Sequence, residues 1–255
     1  MFTGKLSLIL LATAVTISAA SSVPNLGLEG ATVAAKGQFP FQASVQSCPL
    51  TLCRHVCGGV IINANWILTA SSCLDKADRI VVATVDLDDN LAYFYIKAKV
   101  AYKGNANSPD IGLIKLTEPI PFGKNCQPVK LPKQGQEFNG TAVVSGYGHT
   151  LIPNNNVLGY VSGRKIVTYE ECNKVLVSLA GLEGSSLNPT NNICTLNERS
   201  NNCHGDDGGP LSQDGVLVGT VTWHVRPCGK SNAPNVFTKV SNFVDWINQT
   251  IASNK

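Results

Sequence analysis

Four histidines, His55, His149, His204 and His224, and the acidic pair Asp206-Asp207 are the side chains best suited to chemistry in this 255-residue chain. Asp110, Asp207 and either His204 or His224 could be arranged as an acid–base pair or as part of a metal site. Such a reaction also needs a nucleophile or a held water, and no residue pattern supplies one. The competing reading is that these groups fill space in a fold. The nine cysteines contain no Cys-x-x-Cys pair and no His/Cys cluster, which argues against zinc. No metal and no cofactor are expected.

The elements that must position these groups are short and β-rich. Val60–Ile62, Arg79–Val85, Ala92–Val100, Ile111–Leu116, Ala142–Ser145, Arg164–Val167 and Val216–Trp223 read as strands. Turn signals separate them, among them Lys103-Gly104-Asn105, Asn107-Ser108-Pro109-Asp110 and Pro153-Asn154-Asn155-Asn156. Many short strands with little helical periodicity predict an all-β sandwich or a pair of barrels. The last segment differs: Ser241 is placed to cap a helix carrying Phe243, Val244, Ile247 and Ile251 on one stripe. A loose boundary falls around Leu131–Gly140.

Composition narrows the class. At 44% hydrophobic and 15% charged residues the chain is globular rather than disordered. Lys5, the apolar run Leu6–Ile17 and the small residues Ser18, Ala19 and Ala20 read as a signal peptide over residues 1–20, too short to span a bilayer. Removing Lys5 lowers the formal charge from +3 to +2, which gives no ground for nucleic-acid or anionic-membrane partners. Nine cysteines in a secreted chain imply a disulfide framework with one thiol left over. Asn139-Gly140-Thr141 and Asn248-Gln249-Thr250 match the N-glycosylation sequon.

Four stretches carry a family resemblance. They are Cys57-Gly58-Gly59 with Trp66-Ile67-Leu68-Thr69-Ala70-Ser71-Ser72-Cys73, then Asp110-Ile111-Gly112-Leu113, then Cys203-His204-Gly205-Asp206-Asp207-Gly208-Gly209-Pro210, and Trp223 leading to Pro234-Asn235-Val236-Phe237. In this order they resemble the chymotrypsin–trypsin serine protease family from about Gly27 to Ile251. The resemblance implies two perpendicular six-stranded β-barrels and a C-terminal α-helix. The barrels are expected over about residues 27–135 and 136–240, and the helix over about 241–253. It also implies disulfides Cys57–Cys73, Cys172–Cys194 and Cys203–Cys228. Ala142 and Gln213 stand where another family bridge would lie. Cys48 and Cys53 are near enough in sequence to staple their own loop, leaving Cys126 odd.

The family's reaction needs a nucleophilic hydroxyl, an imidazole to take its proton and a carboxylate to orient the imidazole. The resemblance places Ser72 at the imidazole position and Asp207 at the nucleophile, with Asp110 the only triad residue kept. The oxyanion hole would use the N–H groups of Gly205 and Asp207, beside which a carboxylate on Asp207 is unfavourable. Asn201, His224 and Asn235 match the pocket floor and two wall glycines, so a closed pocket is expected. Activation in the family follows a cut after Lys or Arg; here Asn25-Leu26 precede Gly27-Leu28-Glu29-Gly30 and offer no such site. Asp206, the partner of the newly freed amine, is present. His55 and Ser44 match the groups that hold that carboxylate in family zymogens, so a zymogen-like Asp206–His55–Ser44 network is expected.

These features predict a secreted serine protease homologue that works by binding a protease, a protease substrate or an inhibitor. The short N-terminus, without a clip-type module, resembles single-domain arthropod members. Lys97, Lys99 and Lys103, and Lys124, Lys130 and Lys133, keep a glycan-binding reading open. A hydrolase with non-standard chemistry is the remaining alternative.

Overall fold

A computed structural model describes residues 32–89, 91–103, 108–148, 156–180, 187–196, 204–224 and 233–254, without the side chains of residues 51, 180 and 224. The expected signal peptide, the Asn25–Gly30 stretch and His149 lie outside these residues.

Six strands close the first barrel: β2 (Gln42–Ser47), β3 (Arg54–Asn63), β4 (Trp66–Thr69), β5 (Arg79–Val82), β6 (Ala92–Ala101) and β7 (Gly112–Leu116), in the order β2-β3-β4-β7-β6-β5. The period-two alternation of strands sends Ala43, Val45, Ile61, Ile67, Ile80 and Ile114 inward to one core. The second barrel uses β8 (Thr141–Gly146), β9 (Gly159–Val167), β10 (Asn192–Leu196), β11 (Pro210–Gln213), β12 (Val216–His224) and β13 (Asn235–Lys239). Its order is β9-β10-β13-β12-β11-β8, and β8 pairs with β9 to close it. Val144, Val161, Ile193, Leu211, Val218 and Phe237 fill its interior. The fold is the chymotrypsin-like pair of six-stranded antiparallel barrels with a short C-terminal helix.

A third apolar cluster lies in the seam and mixes both barrels with the helix: Val60, Leu68, Leu113, Leu217, Val240 and Ile247 are all buried in it. The N-terminal strand β1 (Thr32–Val33) lies within the stretch expected for the first barrel but pairs with β9 of the second. The next residue explains this. Ala34 is buried among Val81, Leu87, Tyr147 and Leu158, which come from both barrels.

Three local expectations change. The strand expected over Arg79–Val85 stops at Val82, because Ala83 turns to a φ of 64°. The terminal helix α2 runs over Val244–Ser253, behind a 3-10 turn at Val240–Asn242. Ser241 therefore lies inside that turn and caps nothing. It is fully buried, and its Oγ has no hydrogen-bond partner. The sequence also contains a helix not anticipated, α1 (Tyr169–Ala180). Its start is a capping box: Thr168 Oγ1 accepts the Glu171 N–H at 3.2 Å, and Glu171 Oε2 accepts the Thr168 N–H at 3.3 Å.

Disulfides join Cys57 to Cys73, Cys172 to Cys194 and Cys48 to Cys53. Cys57–Cys73 closes 16 residues, a constraint worth about 3 kcal/mol by loop entropy. Cys203 and Cys228 lie outside the described residues, among which Cys126 is the free thiol, and it is buried. At the position of the absent family bridge, Ala142 is buried, and Gln213 Nε2 donates to the carbonyls of Asn139 and Thr141 at 2.6 and 2.9 Å. Hydrogen bonds thus link β11 to β8 there.

Candidate active-site cleft

Asp110 sits just ahead of β7, where the first barrel meets the second. Its carboxylate accepts from Ser71 Oγ at 2.7 Å, Ser72 N at 2.8 Å, Ser72 Oγ at 2.9 Å and Thr222 Oγ1 at 3.3 Å. Its backbone carbonyl takes a bond from Thr238 Oγ1 at 3.0 Å. Four donors occupy most of a carboxylate's acceptor capacity. Ser71 and Ser72 come from the 3-10 turn Ser71–Lys76 after β4, while Thr222 and Thr238 come from the second barrel. The two barrels therefore meet on Asp110. A hydroxyl that donates to Asp110 has no nitrogen lone pair with which to draw a proton from a nucleophile near neutral pH.

Asp207 is half-buried across the cleft, and its carbonyl accepts the Gly58 N–H at 2.8 Å. Gly208 N donates to Val221 O at 2.7 Å, so the loop is held by both barrels. His204 is exposed on this loop.

One link of the expected network around Asp206 is present among the described residues. Ser44 Oγ and His55 Nδ1 do meet, at 2.8 Å. His55 Nε2, however, lies 2.9 Å from the carbonyl oxygen of Gly205. That carbonyl can only accept, so Nε2 carries the proton, and in a neutral ring Nδ1 accepts from Ser44. The Asp206 carboxylate Oδ1 accepts the Gly148 N–H at 3.1 Å. Glycine makes this possible. A Cβ on Gly148 would lie 2.4 Å from the carboxyl carbon of Asp206, and one on Gly146 would lie 2.4 Å from Oδ1. Tyr147, between them, is buried against the His55 ring at 5.5 Å and donates to Thr84 O at 2.6 Å. Burial first, then the nearby Asp86 charge, pushes its phenol well above the usual range.

Arg164 is fully buried in the second barrel, where β9 places it opposite Ala142 and in phase with Ile166. Burial pulls its guanidinium down to about 10, and the Asp206 charge opposes that shift. Asp206 thus has an internal cation in its electrostatic field. Ser71, Thr222 and Arg164 are site residues that the sequence reading missed. The doublet Ser71-Ser72 and the phase of Arg164 with Ile166 were the available signals.

Of the expected pocket residues, Asn235 is fully buried in β13, in register with Thr195 and with His224 at the end of β12. Asn201 and the His224 side chain lie outside the described residues. Asn139 and Asn248 are both exposed, the second on α2. A cavity of about 310 Å³ lies elsewhere, on the second barrel between Glu137, Asn139, Leu187, Ile193 and Lys239. Neither Asp110 nor Asp207 lines it.

The sequence matches the trypsin family over residues 29–247. The chain belongs to the trypsin family. Trypsin of Sus scrofa is 31% identical over 237 residues, covering 88% of this chain and 96% of the relative. Human kallikrein-7 is 31% identical over 230 residues, covering 87% of this chain and 86% of the relative. Among solved structures, human heparin binding protein superposes with a TM-score of 0.73 at 26% identity, covering 88% of this chain and 96% of that one. These relatives are vertebrate and give the arthropod likeness no support. Family membership and several disulfides fit an extracellular trypsin-like protein. Among the described residues, no helix is long and apolar enough to cross a membrane.

Proposed function

We propose that this trypsin-family chain is a secreted, non-catalytic homologue that acts by binding a protein partner: a protease, a protease substrate or an inhibitor. One observation carries the reading. Where the reaction needs an imidazole, Ser72 donates its hydroxyl to Asp110, and the two barrels meet around that bond. The position of the nucleophile holds Asp207, whose carboxylate cannot form the acyl-enzyme that a serine forms. The stretch before Gly27 gives a trypsin-like activator no Lys or Arg to cut after. The fold that would carry a protease cleft is intact, which suits recognition without turnover. Fluorophosphonate labelling of the purified protein, with pig trypsin as the positive control, tests the reading. Labelled trypsin beside an unlabelled chain supports it, and stoichiometric labelling of the chain overturns it.

A glycan-binding reading has one specific support, the structural likeness to human heparin binding protein. Lys97, Lys99, Lys103, Lys124, Lys130 and Lys133 are all exposed. Salt-sensitive retention on heparin separates this reading from the first.

A further inference from the structure

The loop between β2 and β3 holds two leucines in water. Leu50 is 94% exposed and Leu52 is 78% exposed. Each end of the loop is a half-cystine of Cys48–Cys53. The base is fixed again by Asp78, whose Oδ2 accepts from Cys48 N at 2.6 Å and from Ser47 Oγ at 3.2 Å. Leu50 itself adopts a φ of 50° and a ψ of 39°, a left-handed conformation that a leucine avoids unless its surroundings impose it. Two apolar side chains are thus kept exposed, in a short loop with little freedom to bury them.

The surface beside the loop continues the pattern. In the sheet, Gln46 pairs with Arg79, and Arg79 pairs with Tyr95. Arg79 donates to Gln46 Oε1 at 2.8 Å, and its guanidinium lies 4.9 Å from the centre of the Tyr93 ring. Tyr93 and Tyr95 meet edge to face at 5.6 Å, and both are about half exposed. Arg54, exposed at the start of β3, stands on the loop's other side. Among the described residues neither Arg54 nor Arg79 forms an ion pair. The nearby carboxylate of Asp78 is committed to the loop. Tyrosine and arginine around a fixed apolar centre are the side-chain types that dominate protein interfaces.

We propose that Leu50 and Leu52, flanked by Arg54, Arg79, Tyr93 and Tyr95, form the docking surface for the protein partner, and that the partner offers an apolar groove with an acidic rim. The proposal rests on the reading that this chain works by binding. Charge complementarity selects an acidic rim, because two guanidinium groups flank the loop without a carboxylate of their own. The leucines select a protein over a sulfated glycan, which would use the cations and leave the leucines idle. A rigid loop limits the ordering cost of association.

The probe is a 12-residue peptide library displayed on phage, selected on the full secreted chain. The enriched peptides are synthesised and titrated against wild type, Leu50→Ser/Leu52→Ser and Arg54→Gln/Arg79→Gln. Leu50, Leu52 and Arg54 are exposed and Arg79 is half-buried on Gln46, so melting curves are checked first: no shift is expected for Leu50→Ser/Leu52→Ser and a small one for Arg54→Gln/Arg79→Gln. Enriched sequences should combine Asp or Glu with aliphatic or aromatic residues, and each double variant should weaken their binding about thirty-fold. Equal binding to wild type and to Leu50→Ser/Leu52→Ser overturns the docking surface while leaving the binding reading in place. Retention on heparin that depends on Arg54 and Arg79 but not on the leucines also overturns it, in favour of a glycan. Cleavage of the peptides would defeat the binding reading itself, a result distinct from both.

Discussion

Ser72 Oγ lies 2.9 Å from Asp110 Oδ2 and donates to it. In a working triad that carboxylate orients an imidazole; here it is filled by hydroxyl and amide donors from both barrels. Its role becomes structural. Asp110→Asn keeps the shape but removes the charge and turns an amide N–H₂ towards groups that also donate. The expected loss is about 2 kcal/mol, read as a lower urea midpoint with unchanged slope. An unchanged midpoint would show that the four bonds carry no net stability.

The Asp206 charge and the buried Arg164 guanidinium are coupled, which is testable. Asp206→Asn can still accept the Gly148 N–H but no longer balances a buried guanidinium. A lower urea midpoint is expected, because the charge that opposes the desolvation of Arg164 is gone. Arg164→Met in that background should recover part of the loss, because the stranded charge is gone. Strict additivity in the double-mutant cycle would mean that the two side chains do not interact.

Cys126 gives a pH dependence. Burial raises its thiol from the ordinary 9.0 to about 11. The folded pKa lies above the unfolded one, so its contribution is fully present below the unfolded value. It is lost as pH rises from about 9 through about 11, because the unfolded chain releases the proton first. Wild type should therefore lose more stability over that window than Cys126→Ala. The thiol should also resist alkylation until the chain unfolds. Rapid alkylation of the native protein would contradict its burial.

Thr168→Ala removes half of the capping box that starts α1. A loss of about 1 kcal/mol is expected, with faster amide exchange in the first turn of α1. Slow exchange that persists there would show that Cys172–Cys194 alone fixes the helix.

Much of this was legible in the sequence, for reasons that differ by residue. Short β-rich runs between Gly, Pro and Asn turns marked the barrels; β3 and β7 are buried along nearly their whole length, so run length and flanking turns identified them rather than alternation. The Ser72 and Asp207 substitutions are visible because they fall inside otherwise intact motifs. Helix α1 was missed although Thr168-x-x-Glu171 announces it: its buried face is narrow, made by Cys172 and Leu176, and one of these is a half-cystine. Ser241 shows the opposite error, since a residue type suited to capping was drawn one turn early into a 3-10 turn by the buried Val240 and Phe243. The socket of Asp206 was not legible. Two glycines, Gly146 and Gly148, admit its carboxylate, and sequence alone cannot show which glycines lie beside a side chain. Arg164 was missed because a charged residue in β-phase reads as a surface position until its partner is known.

The most direct measurement of the central claim is hydrolysis of a mixed peptide library by the purified chain, run beside Asp110→Asn. The account predicts no cleavage above the blank by either protein over long incubation. Cleavage by wild type that Asp110→Asn abolishes would show that Asp110 still serves a working catalytic group, and would contradict the account.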